Sequence, residues 1–399
     1  MPETEVGMMA GGPTGQQRRA LVVGAGIAGL TAAIALRQRG WEVEVLERAT
    51  EVGPAGSGLS LWPNGLRGLD ALGIGAEVRE QALAATEAGM RDPSGRWLAR
   101  TDIARFRERY GDLVIIHRTD LFDILRRAVG DSRLQLGATV HSVEITGDRV
   151  RVGHSRGTSE ADVVLGADGI NSTVRSLHWP AAAPPAYAGY TAWRAIVTPR
   201  GHVTSGGETI GRGERFGIAP LRDGRVYFYG AATLPPGESS PDSELAELRR
   251  RFGEWHDPIP ALLDSIDPPT LLRHDIYELP PIGSYTRGPI ALLGDAAHAM
   301  TPNLGQGANL AIEDAVTAAA LLDRHRDIAA ALTEYDRLRR ARAEPLQRLS
   351  RRAGAVLQWS WAPAALLRDA VMRMTPTGPA LRSLRPVLTW EPPDPAPHR

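Results

Sequence analysis

Three short stretches of the chain carry residue types whose spacing could do chemistry. Gly24-Ala25-Gly26-Ile27-Ala28-Gly29 follows the apolar run Leu21-Val22-Val23 without a gap. Between a strand and a helix, glycines at this spacing build a phosphate-binding turn. Gly24 turns the chain, Gly26 admits a pyrophosphate against the backbone, and Gly29 lets helix and strand approach. Glu47 ends the next apolar run 18 residues after Gly29, near the roughly 20 expected of an acid that accepts from an adenosine ribose hydroxyl. The second stretch, Gly166-Ala167-Asp168-Gly169, follows Asp162-Val163-Val164-Leu165; Asp168 there either meets a ligand or caps the helix from Asn171. The third, Gly294-Asp295, follows Ile290 to Leu293 and leads through Pro302, Gly305 and Gly307 to a helix from about Ala308. A helix start offers unpaired N–H groups to an anionic or electron-rich ligand. Such a strand-loop-helix also serves structure alone.

The elements around these stretches must position them. Leu30 to Arg39 reads as a helix stopped by Gly40, and Trp41 to Leu46 as a second strand, which completes a βαβ unit. Glu51 to Gly58 is loop, with Gly53, Pro54 and Gly56, and Trp62-Pro63-Asn64-Gly65 opens a helix. His117-Arg118-Thr119-Asp120-Leu121 is a helix start with Thr119 as cap. Period-two runs at Tyr190 to Val197, Glu208 to Ile218 and Arg225 to Ala231 mark a β-rich region with one helix, Ser243 to Phe252. Helices follow from Ile328 to Arg352 and from Pro363 to Met374. The expected division is a disordered leader over 1–17, a discontinuous nucleotide domain over 18–85, 113–180 and 288–345, a β-rich domain over 86–112 and 181–287, and C-terminal helices and tail over 346–399.

Composition narrows the function classes. Of 399 residues, 43% are hydrophobic and 23% charged, and Lys+Arg and Asp+Glu are both 46, so no bulk field argues for nucleic acid. The absence of Cys removes disulfides, thiolate metal sites and thiol nucleophiles, and fits a cytoplasmic protein. There is no Lys, which removes Schiff-base chemistry. No apolar run reaches the roughly 18 residues of a membrane span. The scattered His117, His141, His154, His178 and His298 show no ligand spacing, so no metal is expected.

With the three stretches in order, the chain resembles the class A FAD-dependent aromatic monooxygenases, typified by p-hydroxybenzoate and salicylate hydroxylases. Gly24 to Gly29, Asp168-Gly169 and Gly294-Asp295 match that family's three signatures. Trp62-Pro63-Asn64-Gly65, Tyr187-Ala188-Gly189-Tyr190 and Val226-Tyr227-Phe228 are most similar to its urate hydroxylase-like and salicylate hydroxylase-like members. The resemblance implies an α/β fold: a Rossmann-like FAD-binding domain of glutathione-reductase type, an inserted β-sheet substrate domain and C-terminal helices. It implies FAD held by Gly24, Gly26, Ile27, Ala28, Gly29, Glu47, Arg48 and Gly58, by Arg118 near the pyrophosphate and by the Val140 backbone at adenine. Asp168 would serve FAD and nicotinamide, and Asp295 the ribityl chain. Gly305, Gly307, Ala308 and Asn309 would meet the flavin N1–O2 edge.

The implied reaction uses NADH or NADPH and O2, through a flavin hydroperoxide, to oxygenate a small aromatic or heteroaromatic substrate. Arg215 and Tyr227 match substrate-binding positions, and their bland alternative is a surface Arg and a packed Tyr. His298 is expected as a loop-ordering residue before a base. Asn303 stands where the urate pattern has Asp, which argues against urate. An epoxidase, a reductase of isoprenoid double bonds, and a non-catalytic flavin sensor are the alternatives; no output module supports the sensor. Oligomeric state, monomer or homodimer, is open.

Overall fold

The computed structural model describes residues 17–51, 57–130, 133–375, 382 and 384–393. The expected leader, save its last residue, lies outside them, as do Gly53, Pro54 and Gly56 of the first long loop and the last six residues of the tail.

A six-stranded sheet carries the three stretches. Its order is Thr286–Arg287, Ile290–Leu292, Val163–Gly166, Arg19–Val23, Glu42–Glu47, Leu134–Leu136. All neighbours are parallel except the first pair. In the four central strands the Val, Leu, Ala and Ile side chains are buried on both faces, as a parallel sheet covered by helices requires. Because four adjacent strands run the same way, Gly24, Glu47, Asp168 and Asp295 all emerge at one sheet edge, the carboxyl end where open α/β sheets bind ligands.

The helix Ile27–Arg37 buries Ala28, Ala32, Ala33 and Ala35, whose small side chains let it lie close to the sheet and to the helix Gly307–Arg324. A Cβ on Gly29 would stand 1.9 Å from the Gly24 carbonyl oxygen, so any larger residue would push the helix off the strand.

The second sheet has seven strands in the order Leu272–Glu278, Ala186–Val197, Val226–Ala232, Glu214–Pro220, Gly207–Ile210, Ala88–Arg91, Trp97–Thr101. Alternation gives it two different faces. Trp193, Phe216 and Phe228 pack on Phe252 and Leu262 of the helices Glu244–Phe252 and Ile259–Asp264. Tyr190, Ala192, Arg194, Arg215, Tyr227 and Tyr229 point the other way. Long C-terminal helices, Ile328–Leu357 and Ala362–Met374, follow, and the short helix Arg385–Leu388 packs back against the helix Pro63–Ala71.

Three sequence readings change. The run Glu208 to Ile218 is a hairpin, Gly207–Ile210 against Glu214–Pro220, because Gly213 takes a positive φ of 71° and turns the chain. The helix Arg118–Val129 is capped by His117, whose Nδ1 accepts from the Thr119 N–H at 3.1 Å, and Thr119 is not the cap. Gly58–Leu61 is a strand, paired antiparallel to Val114–His117.

Candidate active site

Two adjoining cavities lie at the carboxyl edge of the first sheet. The smaller, about 230 Å³, is lined by Gly24, Gly26, Glu47, Arg48, Val140 and Asp168 among others. Glu47 is fixed in it: one carboxylate oxygen accepts from the Ala25 N–H at 2.8 Å and the other from Ala49 N–H at 2.9 Å. Each oxygen keeps a further lone pair. Gly26, Ala167 and Gly169 also line the larger cavity, so the two adjoin at the start of the helix Ile27–Arg37. That helix has no acidic residue in its first turn, and nothing lies within 4 Å of where a Gly26 Cβ would stand. Its first N–H groups are therefore open to an anion.

The two oxygens of Asp168 are occupied differently. One oxygen accepts from the Thr173 and Val174 N–H groups at 2.7 and 3.1 Å, supporting the start of the helix Thr173–His178, whose cap is Ser172 through the Arg175 N–H at 2.9 Å. The other, Oδ1, is buried with no hydrogen-bond partner among the described residues. A buried carboxylate oxygen left in that state is suited to a ligand's donor.

The larger cavity, about 380 Å³, receives Ile27, Ala28, Gly58, Arg118, Asp295, Gly305, Gly307 and Ala308. Asp295 is exposed on the cavity side, its carboxylate open to this cavity and protein packed behind it. Desolvation by that protein raises its pKa, against the pull of His298 and Arg118. The helix Gly307–Arg324 also begins without a side-chain cap or an acidic residue in its first turn. Gly305 precedes it in the left-handed conformation, φ 61°. The Asn309 side chain is turned away from the cavity. It accepts from the Trp62 N–H at 3.0 Å and donates to Ser60 and Gly305 carbonyls, tying the helix start to the strand Gly58–Leu61.

His298 does not line either cavity. Its Nε2 lies 2.6 Å from Asp314 Oδ2, which also accepts from the Gly294 N–H at 2.8 Å. Arg339 donates to the other oxygen at 2.5 Å and pairs with Glu313. Burial alone would raise the Asp314 carboxyl; His298 and Arg339 outweigh it and hold it at about 2. The network orders the Gly294-Asp295 turn from behind, and among the catalytic candidates His298 stands apart from the cavity for that reason.

Arg215 and Tyr227 both face the larger cavity. Neither is a solvent-facing residue: Arg215 is 2% exposed. It donates to Asn303 Oδ1 at 2.8 Å and to Glu208 Oε1 at 3.2 Å, and its guanidinium lies 5.4 Å from the Tyr190 ring centre. Tyr227 packs against the strand Gly58–Leu61, where a Gly58 Cβ would stand 2.7 Å from its ring. Burial raises the pKa of Tyr227, with Arg194 and Arg118 opposing, so the phenol keeps its proton near neutrality. Sequence reasoning missed Tyr190, Arg194, Glu208 and Tyr229. Tyr229 follows from period two once Tyr227 is placed; Glu208 was hidden by the hairpin turn.

Among the described residues no group of three or more His, Asp or Glu is placed to hold a metal, and no helix is long and apolar enough to cross a membrane. The two cavities, the open helix starts and the unpaired Asp168 oxygen fit an extended dinucleotide that ends in a flat ring at the second sheet.

Comparison with known proteins agrees. The FAD binding domain family matches residues 17–350. The chain is 36% identical over 362 residues to the aurachin C monooxygenase/isomerase of Stigmatella aurantiaca, covering 89% of this chain and 93% of that one. It is 36% identical over 368 residues to the 3-amino-4-hydroxybenzoate 2-monooxygenase of Streptomyces cremeus, covering 90% and 92%. A Klebsiella pneumoniae protein solved with FAD and uric acid superposes with a TM-score of 0.85 at 31% identity, over 92% of this chain and 95% of that one. With the family matched over most of its length and such relatives aligned along nearly all of it, the chain belongs to the FAD binding domain family and is a class A FAD-dependent aromatic monooxygenase.

Proposed function

We propose that this monooxygenase hydroxylates a small electron-rich phenol or N-heterocycle, held between Arg215, Tyr227 and the flavin edge. The observation that carries this reading is the adjacency of the two cavities, which share Gly26, Ala167 and Gly169. They run from the ribose-type acid Glu47, past two uncapped helix starts, to the Tyr- and Arg-bearing face of the second sheet. Glu47, Arg48 and Val140 take the adenosine end, and the N–H groups of Gly26, Ile27 and Ala28 the pyrophosphate, with Arg118 beside them. Asp295 accepts from ribityl hydroxyls. A carboxylate suits that place and not the pyrophosphate, which it would repel. The N–H groups of Gln306 to Ala308 would hold the flavin ring, while the Gly305 N–H already donates to the Pro302 carbonyl at 3.0 Å; donors there suit a ring that gains negative charge on reduction.

When bound, FAD supplies hydride acceptance from NAD(P)H and activation of O2. The chain binds and orients the substrate. Tyr227, kept protonated by burial, donates to a ring carbonyl or phenol oxygen, and Arg215 fixes the ring's orientation. The sheet wall excludes water, which protects the oxygenating species from wasteful breakdown. We assign residues 18–85, 113–180 and 288–345 to the FAD-binding domain, and the chain to the cytoplasm.

The test is a panel of phenols, aromatic acids and N-heterocycles given to the yellow holoenzyme. A true substrate stimulates NAD(P)H oxidation and yields a hydroxylated product. A panel that releases only hydrogen peroxide, with no product from any phenol or N-heterocycle, sinks the reading.

A further inference from the structure

The cation at the substrate end of the cavity is already neutralised by the protein. Arg215 Nη1 lies 3.2 Å from Glu208 Oε1, and the Tyr229 hydroxyl donates to the same oxygen at 2.7 Å. Sheet register explains the meeting. Glu208 pairs with Gly217, and Gly217 with Tyr229, so the three form one row on the cavity-facing side. Because Gly217 lacks a Cβ, the Tyr229 ring lies across it, 2.1 Å from where that atom would stand, and reaches the carboxylate.

The other edge of Arg215 meets a neutral group. Asn303 gives both amide protons away, to Thr301 Oγ1 at 2.8 Å and to the Ser350 carbonyl at 2.9 Å, which turns its Oδ1 toward Arg215 and Tyr190. Arg215 therefore meets one full negative charge, from Glu208, in a wall where the guanidinium is buried and the carboxylate mostly so. There, charge preferences are stronger than in solvent. A substrate carboxylate placed on Arg215 would share it with Glu208, and two anions on one buried site repel. Arg194 has no ion pair among the described residues. It stands beyond Tyr229 from Glu208 in the same row, where it and Arg118 act on Tyr227.

We infer that Glu208 is a specificity-determining residue that sets the substrate end of the cavity to accept an aromatic ring of no net charge and to reject benzoate-type carboxylates. The inference rests on reading that end as the substrate site.

The experiment titrates holoenzyme with matched ligands, following the flavin absorbance. One pair is 2-hydroxybenzamide and 2-hydroxybenzoate; the other is 4-hydroxyquinoline and 4-hydroxyquinoline-2-carboxylate. In the unmodified protein the neutral member binds at least about tenfold more tightly. Glu208→Gln narrows or reverses that ratio by about tenfold, because Arg215 is released to take an anion, while Glu208→Asp keeps it. A carboxylate preference in the unmodified protein overturns the inference, whichever cation holds it. So does an unchanged ratio in a Glu208→Gln protein that retains FAD. If Glu208→Gln loses FAD, the ratio in the unmodified protein decides alone. Failure of both members of both pairs to bind, in a protein that NAD(P)H still bleaches, sinks the substrate-site reading and the inference together. A reversed preference sinks only the inference.

Discussion

Asn303 Oδ1 accepts from Arg215 Nη2 at 2.8 Å, which ties the loop after the Gly294-Asp295 turn to the second sheet. The loop that leads to the helix Gly307–Arg324 and the strand that carries the substrate-facing guanidinium are thereby held in one geometry. A change on either side of the bond is felt on the other.

Replacement of Arg215 separates substrate from cofactor. Arg215→Gln should weaken substrate binding far more than FAD binding, by about 2 kcal/mol or more, since a charged hydrogen-bond donor in a buried site is lost. Arg215→Ala adds a stability cost of about 2 kcal/mol, because the mostly buried Glu208 loses its counterion and keeps only the Tyr229 hydroxyl. Ligand titration and thermal melts of the holoenzyme check both. Equal loss of FAD and substrate affinity would make Arg215 a purely structural residue.

Gly217 is predicted to be intolerant of even one methyl group. Gly217→Ala puts a Cβ 2.1 Å from a Tyr229 ring carbon, which costs about 1–3 kcal/mol and draws Tyr229 off Glu208. In a Tyr229→Ala background most of that cost should vanish. A double-mutant cycle on melting temperature measures it; two effects that simply add would show that the methyl group clashes with something else.

What the sequence made legible here was local. Gly24 to Gly29, Asp168 and Asp295 each sit within a strand-turn-helix segment that glycine chemistry and apolar runs announce by themselves. Their convergence at one edge follows once the strands are parallel. The His117 cap escaped because a ring nitrogen was not sought where Thr119 offered the usual hydroxyl. Glu208 escaped because a period-two count continued through the Gly211 to Gly213 turn, and register across a turn decides which face a residue takes. The Asn303 to Arg215 bond spans 88 residues, and no local pattern encodes such a partner.

The Asp314 network predicts an acid limb. Its folded-state carboxyl, at about 2, lies below the ordinary 3.8, so the stabilisation is complete above pH about 4 and is lost as pH falls toward 2. The amount is about 2 kcal/mol. Denaturant melts between pH 5 and 2 should show this loss in the unmodified protein. Asp314→Asn should be less stable at pH 5 and should lack this part of the acid limb. An identical slope in both would place the acid sensitivity on other carboxylates.

Asp168 allows helix support and ligand contact to be separated, because its two oxygens are occupied differently. An Asn side-chain oxygen accepts from helix-start N–H groups about as well as Asp, so Asp168→Asn should keep the Thr173 and Val174 N–H bonds and change stability by less than about 0.5 kcal/mol. It replaces the unpaired acceptor with an amide N–H group. The prediction is a fall in FAD affinity or in the rate of flavin reduction by NAD(P)H of about tenfold, with little change in melting temperature of the apoprotein. Asp168→Ala should lose the Thr173 and Val174 bonds as well, about 1 kcal/mol with the Ser172 cap left in place, and should show the same fall in cofactor affinity or reduction rate. If Asp168→Asn reduces and binds FAD as the unmodified protein does, while Asp168→Ala is only less stable, then the residue only supports the helix start and the nicotinamide and FAD contacts belong elsewhere.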